Sequence, residues 1–221
     1  MKKTVIGLNA LLIVLLCVSN YDYLGQRDYV TKAFCSGIFA ALGAVNALYV
    51  LIRGGKRLFA VVMGAGLVLA TQADITINGH FVKGAALFAS GHLCYLIAYC
   101  LLQRPRWQDF GWGLLLFAAC AAYLLLDPKL RFRPASLQWV CVGYAFIISL
   151  MTGKAFGNFR RAKSWLTVIL LAGSVLFFLS DLMLLLYMFR GQKRMFDILC
   201  MSLYYPAELL LAHGIYHSAK G

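Results

Sequence analysis

Three carboxylates, Asp74, Asp181 and Glu208, fall inside stretches that are otherwise almost wholly apolar. An ionisable group at the centre of a bilayer span costs roughly 2.5–3.5 kcal/mol on insertion scales, which makes each a candidate for function. The plainer alternative is an acid that only ties neighbouring helices together. The other acids, Asp22, Asp28, Asp109, Asp127 and Asp197, fall in connections or at span ends, where solvation accounts for them. Two carboxylates in a low-dielectric pocket do not both ionise easily, so one protonated acid beside one carboxylate is expected. Glycosidases use that pairing on acetal-like bonds: one group protonates the substrate, and the other steadies an oxocarbenium ion or activates water.

Other polar groups follow helical spacing toward the same place. Phe88, His92, Tyr95 and Tyr99 recur at i, i+4, i+7 and i+11, one stripe of a helix. Ser174, Asp181 and Leu185 share a face, with Gly173 and Ser180 beside it. Tyr205 and Glu208 are one turn apart, and Pro206 between them leaves a carbonyl near Ser202 without its helical partner. His92 and the tyrosines are suited to orient the acids or to bind a phosphate.

A different chemistry is carried by "HGIYH" (213–217), whose histidines have the i, i+4 spacing that can hold zinc. With Asp181 or His92 it would complete a site of the kind found in membrane hydrolases of the ceramidase and adiponectin-receptor type. Its place near the end of the last span argues instead for a pair facing water or head groups. There, a histidine at a helix C-terminus suits the dipole. We therefore expect no metal and no other cofactor. No Walker loop, dinucleotide glycine fingerprint or G-x-S-x-G elbow occurs.

The elements that must position these groups are membrane spans. The chain has 221 residues, is 62% hydrophobic and has a mean hydropathy of +0.77. Apolar runs long enough to cross ~30 Å of hydrocarbon recur at roughly 4–21, 33–52, 58–76, 80–102, 110–126, 137–153, 165–189 and 195–217. The fold expected is all-α: one polytopic membrane bundle of about eight helices over 1–221, with connections of roughly 4–12 residues. Lys2 and Lys3 before the run Val5–Val18 imitate a signal peptide, but no small-x-small site follows, and a retained first helix is expected. The formal charge of +13 does not point to nucleic acid, because the cations sit in connections such as "RGGKR" (53–57) and "NFRRAK" (158–163). Such loops set topology and meet anionic lipid, and a modest excess of Lys and Arg puts both termini in the cytoplasm. Seven cysteines lie in or beside the spans with no CxxC pair, which suits buried, inert thiols. Gly37, Ala40, Ala41, Ala44, Gly64 and Gly66 are expected to mark close helix contacts.

Depth unites the candidates. At 1.5 Å per residue, Asp74 and Asp181 both lie beyond the midplane, toward the side opposite the termini. His92 and Glu208, on spans running back, return close to the midplane. All four are expected to line one cavity in the same half of the membrane.

The motifs resemble a known family. "ADITINGHFVKGAALFASGHLCY" (73–95) has Asp, then Phe-x-x-Gly, then Phe-x-x-Gly-His-x-x-Tyr. "GSVLFFLSDLMLLLYMF" (173–189) has Gly, Phe, Ser-Asp and Phe, and "YYPAELLLAHG" (204–214) closes the pattern. In order and spacing this resembles the YhhN family, the lysoplasmalogenase-like integral membrane proteins. The resemblance implies a multi-pass protein of a bacterial inner membrane that hydrolyses the vinyl ether bond of lysoplasmalogens, releasing a fatty aldehyde and a glycerophospho-head group. The implied catalytic acids are Asp74 and Asp181, with His92, Tyr95, Ser180 and Tyr205 as pocket residues; Asn78 and Glu208 are further candidates for substrate binding or support. The partners implied are a lysophospholipid substrate and membrane lipids. Ala73 stands where the family pattern has Gly, and Glu208 where it more often has Gln.

The rival reading is a proton-coupled transporter or lipid-binding membrane protein, with the buried acids as a proton relay. A faint echo favours it: Asp74 precedes Tyr95 much as Asp181 precedes Tyr205, as in a four-plus-four repeat.

Overall fold

The computed structural model describes residues 1–219; Lys220 and Gly221 lie outside the described residues. The described residues fold into eight helices: α1 (Lys2–Gln26), α2 (Tyr29–Arg53), α3 (Arg57–Thr76), α4 (Phe81–Leu102), α5 (Trp107–Leu126), α6 (Ser136–Arg161), α7 (Trp165–Phe189) and α8 (Arg194–Tyr216). Each is long and apolar enough to cross a membrane, so the protein is an integral, multi-pass membrane protein. Helices are the form demanded there, because every backbone N–H and C=O must find its partner within the segment.

Local chemistry ends the helices. Asp28 caps α2 by accepting from the Thr31 N–H at 2.8 Å, and hydrogen bonding from Thr31 holds its carboxyl below the usual range. Ser164 caps α7 in a reciprocal box with Thr167. Gly54, Gly55 and Gly191 turn the chain with positive φ after α2 and α7. Arg27 does the same between α1 and α2 with φ of 58°, unusual for a residue with a Cβ. Pro206 does not break α8.

Three antiparallel pairs, α3–α4, α5–α6 and α7–α8, form the main contacts, and α2 and α8 pack at the centre. Among the described residues α5 packs against α6 alone. That leaves its other flank turned toward α7 without helix-to-helix contact. The core is aromatic: Phe39, Phe88 and Phe177 each meet Tyr204 edge to face, with ring centroids 5.3–6.0 Å apart. The lipid-facing surface carries Leu11, Val14, Val18 and Leu48. Trp107 and Trp165 stand exposed at the starts of α5 and α7, on the same side of the bundle, as interfacial anchors do.

Several expectations are corrected. Connections are shorter than foreseen, with only Arg27 and Asp28 between α1 and α2. Span six runs to Arg161, well past 153. The reason is Asp109, which is not solvated: it is 1% exposed and accepts from Lys154 Nζ at 3.0 Å and Arg161 Nη1 at 2.5 Å. Asn158 accepts from the same lysine at 2.8 Å. The extra turns of α6 bring these partners to the start of α5. Gly37, Ala41 and Ala44 face outward rather than marking contacts. Close approach does occur at Gly66, as expected, where a Cβ would strike the Tyr95 ring, and also at Gly153, where it would strike the Gly113 backbone. Cys35, Cys141 and Cys200 are buried, but Cys17 is exposed.

Removing one member of a buried ion pair strands the other. Asp109→Ala is expected to lose about 3–5 kcal/mol of stability, read as a lower unfolding midpoint of the purified protein in detergent. An unchanged midpoint would show that the cluster does not hold α5 to α6.

Candidate active site

Two carboxylates from different helix pairs reach the same end of the bundle. Asp74 sits on the last turns of α3, and Asp181 lies in the second half of α7. The ends of these helices lie opposite the chain termini, which meet where Asn9 of α1 contacts His213 of α8.

Asp74 is 1% exposed and fully engaged. Its Oδ1 is 3.0 Å from Lys32 Nζ, on the first turn of α2, and the same ammonium donates to the Asp74 carbonyl at 2.8 Å. Its Oδ2 accepts from Ser36 Oγ at 2.6 Å and from the Tyr205 hydroxyl at 3.1 Å. Lys32 and Ser36 are i and i+4, so one face of α2 supplies both donors. An ammonium and a carboxylate buried together, with hydrogen bonds to both oxygens, make a neutral but strongly oriented group.

Asp181 is held differently. Its Oδ2 accepts from the Tyr144 hydroxyl of α6 at 2.6 Å and lies 3.3 Å from His92 Nε2 of α4. His92 Nε2 is also 2.8 Å from the Tyr144 oxygen, so three helices close a triangle on one carboxylate oxygen. Phe177 presses edge-on to the His92 ring with centroids 4.6 Å apart, which fixes the imidazole plane. The two carboxylates do not hydrogen-bond to each other, so they do not form the proton-sharing dyad that sequence reasoning allowed.

Two cavities meet at Asp181. One, of about 210 Å³, is polar and is bordered by Asp74, Asn78, Ser180, Asp181, Lys32 and Arg27. The other, of about 350 Å³, is almost wholly apolar and runs between α5, α6 and α7. Its lining includes Leu116, Ala119, Val140, Ile148 and Leu185. Ile77, Phe88, Asp181 and Leu184 border both, and Asp181 is the only ionisable group among them. The apolar cavity coincides with the flank where α5 lacks contact with α7.

The candidates therefore divide. Asp74, Asn78, Ser180 and Asp181 border the polar cavity. Ser180 does so while its hydroxyl donates to the Cys200 carbonyl at 3.0 Å. Tyr205 and His92 stand behind the acids. Tyr95 and Glu208 border neither cavity: they form a separate buried pair, Tyr95 donating to Glu208 Oε2 at 2.9 Å. The four-residue cavity foreseen from depth counting thus holds the two aspartates but neither His92 nor Glu208. Sequence reading missed Lys32, Ser36, Tyr144 and Arg27. Lys32 looked like a connection residue because span two was begun one residue too late. Its only signal was the i, i+4 relation to Ser36. Tyr144 lay in an apolar span with no partner in sequence.

His213 and His217 do share a face, with Nε2 atoms 3.3 Å apart. They lie at the terminal end of the bundle, where His213 Nδ1 contacts Asn9 Oδ1 at 3.1 Å. Among the described residues no group of three His, Cys, Asp or Glu forms a ligand set there or elsewhere, and neither Asp181 nor His92 joins the pair.

The sequence model of the YhhN family matches residues 28–215, which takes in every helix from α2 to α8. The chain belongs to the YhhN family. The chain is similar to lysoplasmalogenase TMEM86A of Bos taurus, 29% identical over 154 residues, and to that of Homo sapiens, 29% identical over 156. Each alignment covers 66% of this chain and 62% of the relative, so the chain spans less than two thirds of these relatives. No solved structure matches the chain. The family match begins immediately after Arg27, leaving α1 outside it.

Lys32→Met would strand the Asp74 carboxylate in the bundle and is expected to cost about 3–5 kcal/mol. The double variant Lys32→Met, Asp74→Asn should recover most of that loss, because no charge is then left unpaired. Unfolding midpoints of the two variants test this; equal destabilisation would mean that Lys32 contributes packing and not charge.

Proposed function

We propose that this YhhN protein hydrolyses the vinyl ether bond of a lysoplasmalogen, with Asp181 as the proton donor and Asp74 as the fixed anion. The observation that carries the reading is the position of Asp181 at the junction of a polar and an apolar cavity. A lysoplasmalogen has its reactive bond at the matching place, between a polar glycerophospho-head and a single apolar tail. The tail fits the 350 Å³ cavity, reached from the bilayer along the open flank between α5 and α7, and the head fits the 210 Å³ cavity. The names of the bovine and human relatives support the substrate class.

The chemistry follows from the bond. Vinyl ether hydrolysis begins with a proton passing to the alkene carbon that does not bear oxygen, which leaves an oxocarbenium ion. In this reading Asp181 gives that proton from Oδ1, the oxygen left free by Tyr144 and His92. Water from the polar cavity then adds to the oxygen-bearing carbon and returns a proton to the Asp181 carboxylate. The resulting hemiacetal breaks its bond to the glycerol oxygen as its hydroxyl proton passes to that oxygen, leaving the aldehyde and the glycerophospho-head group. The proton balance closes on one water consumed. In this reading Asp74, the negative end of the buried pair with Lys32, borders the cavity in which the cation develops, and the fixed dipole of that pair steadies it. Tyr144 and His92 orient the acid, and Tyr205 and Ser36 orient the anion. Tyr95 and Glu208 tie α4 to α8 through their side-chain hydrogen bond. The protein is placed in this reading in a bacterial inner membrane with both termini cytoplasmic, so the site faces the outer half of the bilayer.

Purified protein incubated with lysoplasmalogen should release free aldehyde. Asp181→Asn and Asp74→Asn should each lower that rate by about 10²–10⁴-fold while the protein stays folded. Tyr144→Phe should lower it by about ten- to a hundredfold. Substantial activity in both aspartate variants would sink the assignment. Uptake of intact lipid into vesicles without aldehyde release would favour the transporter instead.

A further inference from the structure

The polar cavity holds a cation that the proposed chemistry does not use. Lys32 is committed to Asp74 through both its carboxylate and its carbonyl. Arg27 is not so committed. Its Nη2 lies 2.5 Å from Asp197 Oδ2, but its Nε is shielded from solvent and has no hydrogen-bond partner. A shielded guanidinium N–H left unpaired is costly, and it is the kind of donor that an incoming oxyanion satisfies. Arg27 is held in place by a left-handed backbone conformation in a two-residue connection, between α1 and the Asp28 cap of α2. It borders the same cavity as Asp74 and Asp181.

Beside Arg27, on the same cavity, stand groups suited to a positive charge, and the nearest of them, Asp197, is its ion-pair partner. Asp197, on the first turn of α8, borders the cavity, as do Tyr23, Tyr187 and Tyr204. A carboxylate among aromatic faces is a site for an ammonium group. A guanidinium with an unpaired N–H next to its own carboxylate partner matches a zwitterion whose phosphate and ammonium are a few bonds apart, the phosphate meeting the guanidinium and the ammonium the carboxylate.

We propose that Arg27 anchors the phosphate of a lipid head group and that Asp197 receives its ammonium, so that this pair forms the head-group subsite of the site described above. The proposal rests on the lysophospholipid reading. It adds that the anion-binding residue comes from the segment before residue 28, outside the stretch that defines the family. Planar guanidinium geometry, which can meet two phosphate oxygens at once, explains an arginine here in preference to a lysine.

Binding without turnover tests this. The full chain in lipid nanodiscs is titrated with three saturated ether lipids that carry no vinyl ether: 1-O-hexadecyl-glycerophosphoethanolamine, 1-O-hexadecylglycerol phosphate and 1-O-hexadecylglycerol. The wild-type protein should bind the phosphoethanolamine lipid at least about tenfold more tightly than hexadecylglycerol. Arg27→Gln should lose that preference while binding hexadecylglycerol as before, and Arg27→Lys should keep part of it. Asp197→Asn should lose the preference for the phosphoethanolamine lipid over the monophosphate. Unchanged discrimination in Arg27→Gln overturns the proposal. So does an equal loss of affinity for all three lipids in that variant, which would assign Arg27 to the fold. Inorganic phosphate that competes as well as glycerophosphoethanolamine would assign the cavity to a free anion and likewise overturn it. Because no step requires hydrolysis, a wild-type protein that releases no aldehyde would sink the enzyme reading while leaving this result legible.

Discussion

The buried pair of Lys32 and Asp74 is the constraint on which the site depends. A carboxylate cannot stay charged inside an apolar bundle without a counter-charge and hydrogen bonds to its remaining lone pairs. Asp74 has both, and satisfying it draws in two other helices. α2 supplies Lys32 and Ser36, and α8 supplies Tyr205. The short connection carrying Arg27 and Asp28 sets where α2 begins and therefore where Lys32 stands. The pair thus fixes the relative depth of α2, α3 and α8, and with it the floor of the polar cavity.

The second carboxylate is solved by another route. Asp181 has no buried lysine or arginine beside it. It is steadied by neutral donors, a phenol and an imidazole, brought from α6 and α4. The contrast gives the two acids different characters: one is an ion in a cage, the other a carboxyl with one oxygen held and one free. The cavities divide along the same line. The polar space gathers near the ion pair, while the apolar space opens where α5 leans only on α6. An amphiphile finds a place for each of its halves, and Asp181 borders both.

Much of this was legible in residues alone. Depth counting along α3 and α7 put Asp74 and Asp181 in the same half of the membrane, and both border the polar cavity. The stripe Phe88, His92, Tyr95 and Tyr99 is buried on one face of α4, as its spacing requires. Glu208 looked equivalent to the aspartates but sits behind Tyr95, because the face of a helix that a residue occupies does not reveal which neighbour covers it. Asp109 looked solvated at the start of a span, yet the later turns of α6 fold Lys154 and Arg161 over it. Gly37, Ala41 and Ala44 of α2 looked like a contact face and turn outward, since a bundle in lipid has no need to bury every small side chain.

The sequence by itself determined that this is a membrane bundle of eight helices, which residues are costly there, and how deep each lies. These are properties of single segments: hydropathy, length and helical rise are summed along the chain and need no partner. Only the tertiary structure decided that Lys32 answers Asp74, that Tyr144 and His92 answer Asp181, and that the two cavities meet at one carboxylate. Those facts depend on distances between helices far apart in sequence, set by side-chain packing and by the need of each buried charge to find a partner. No local pattern encodes them.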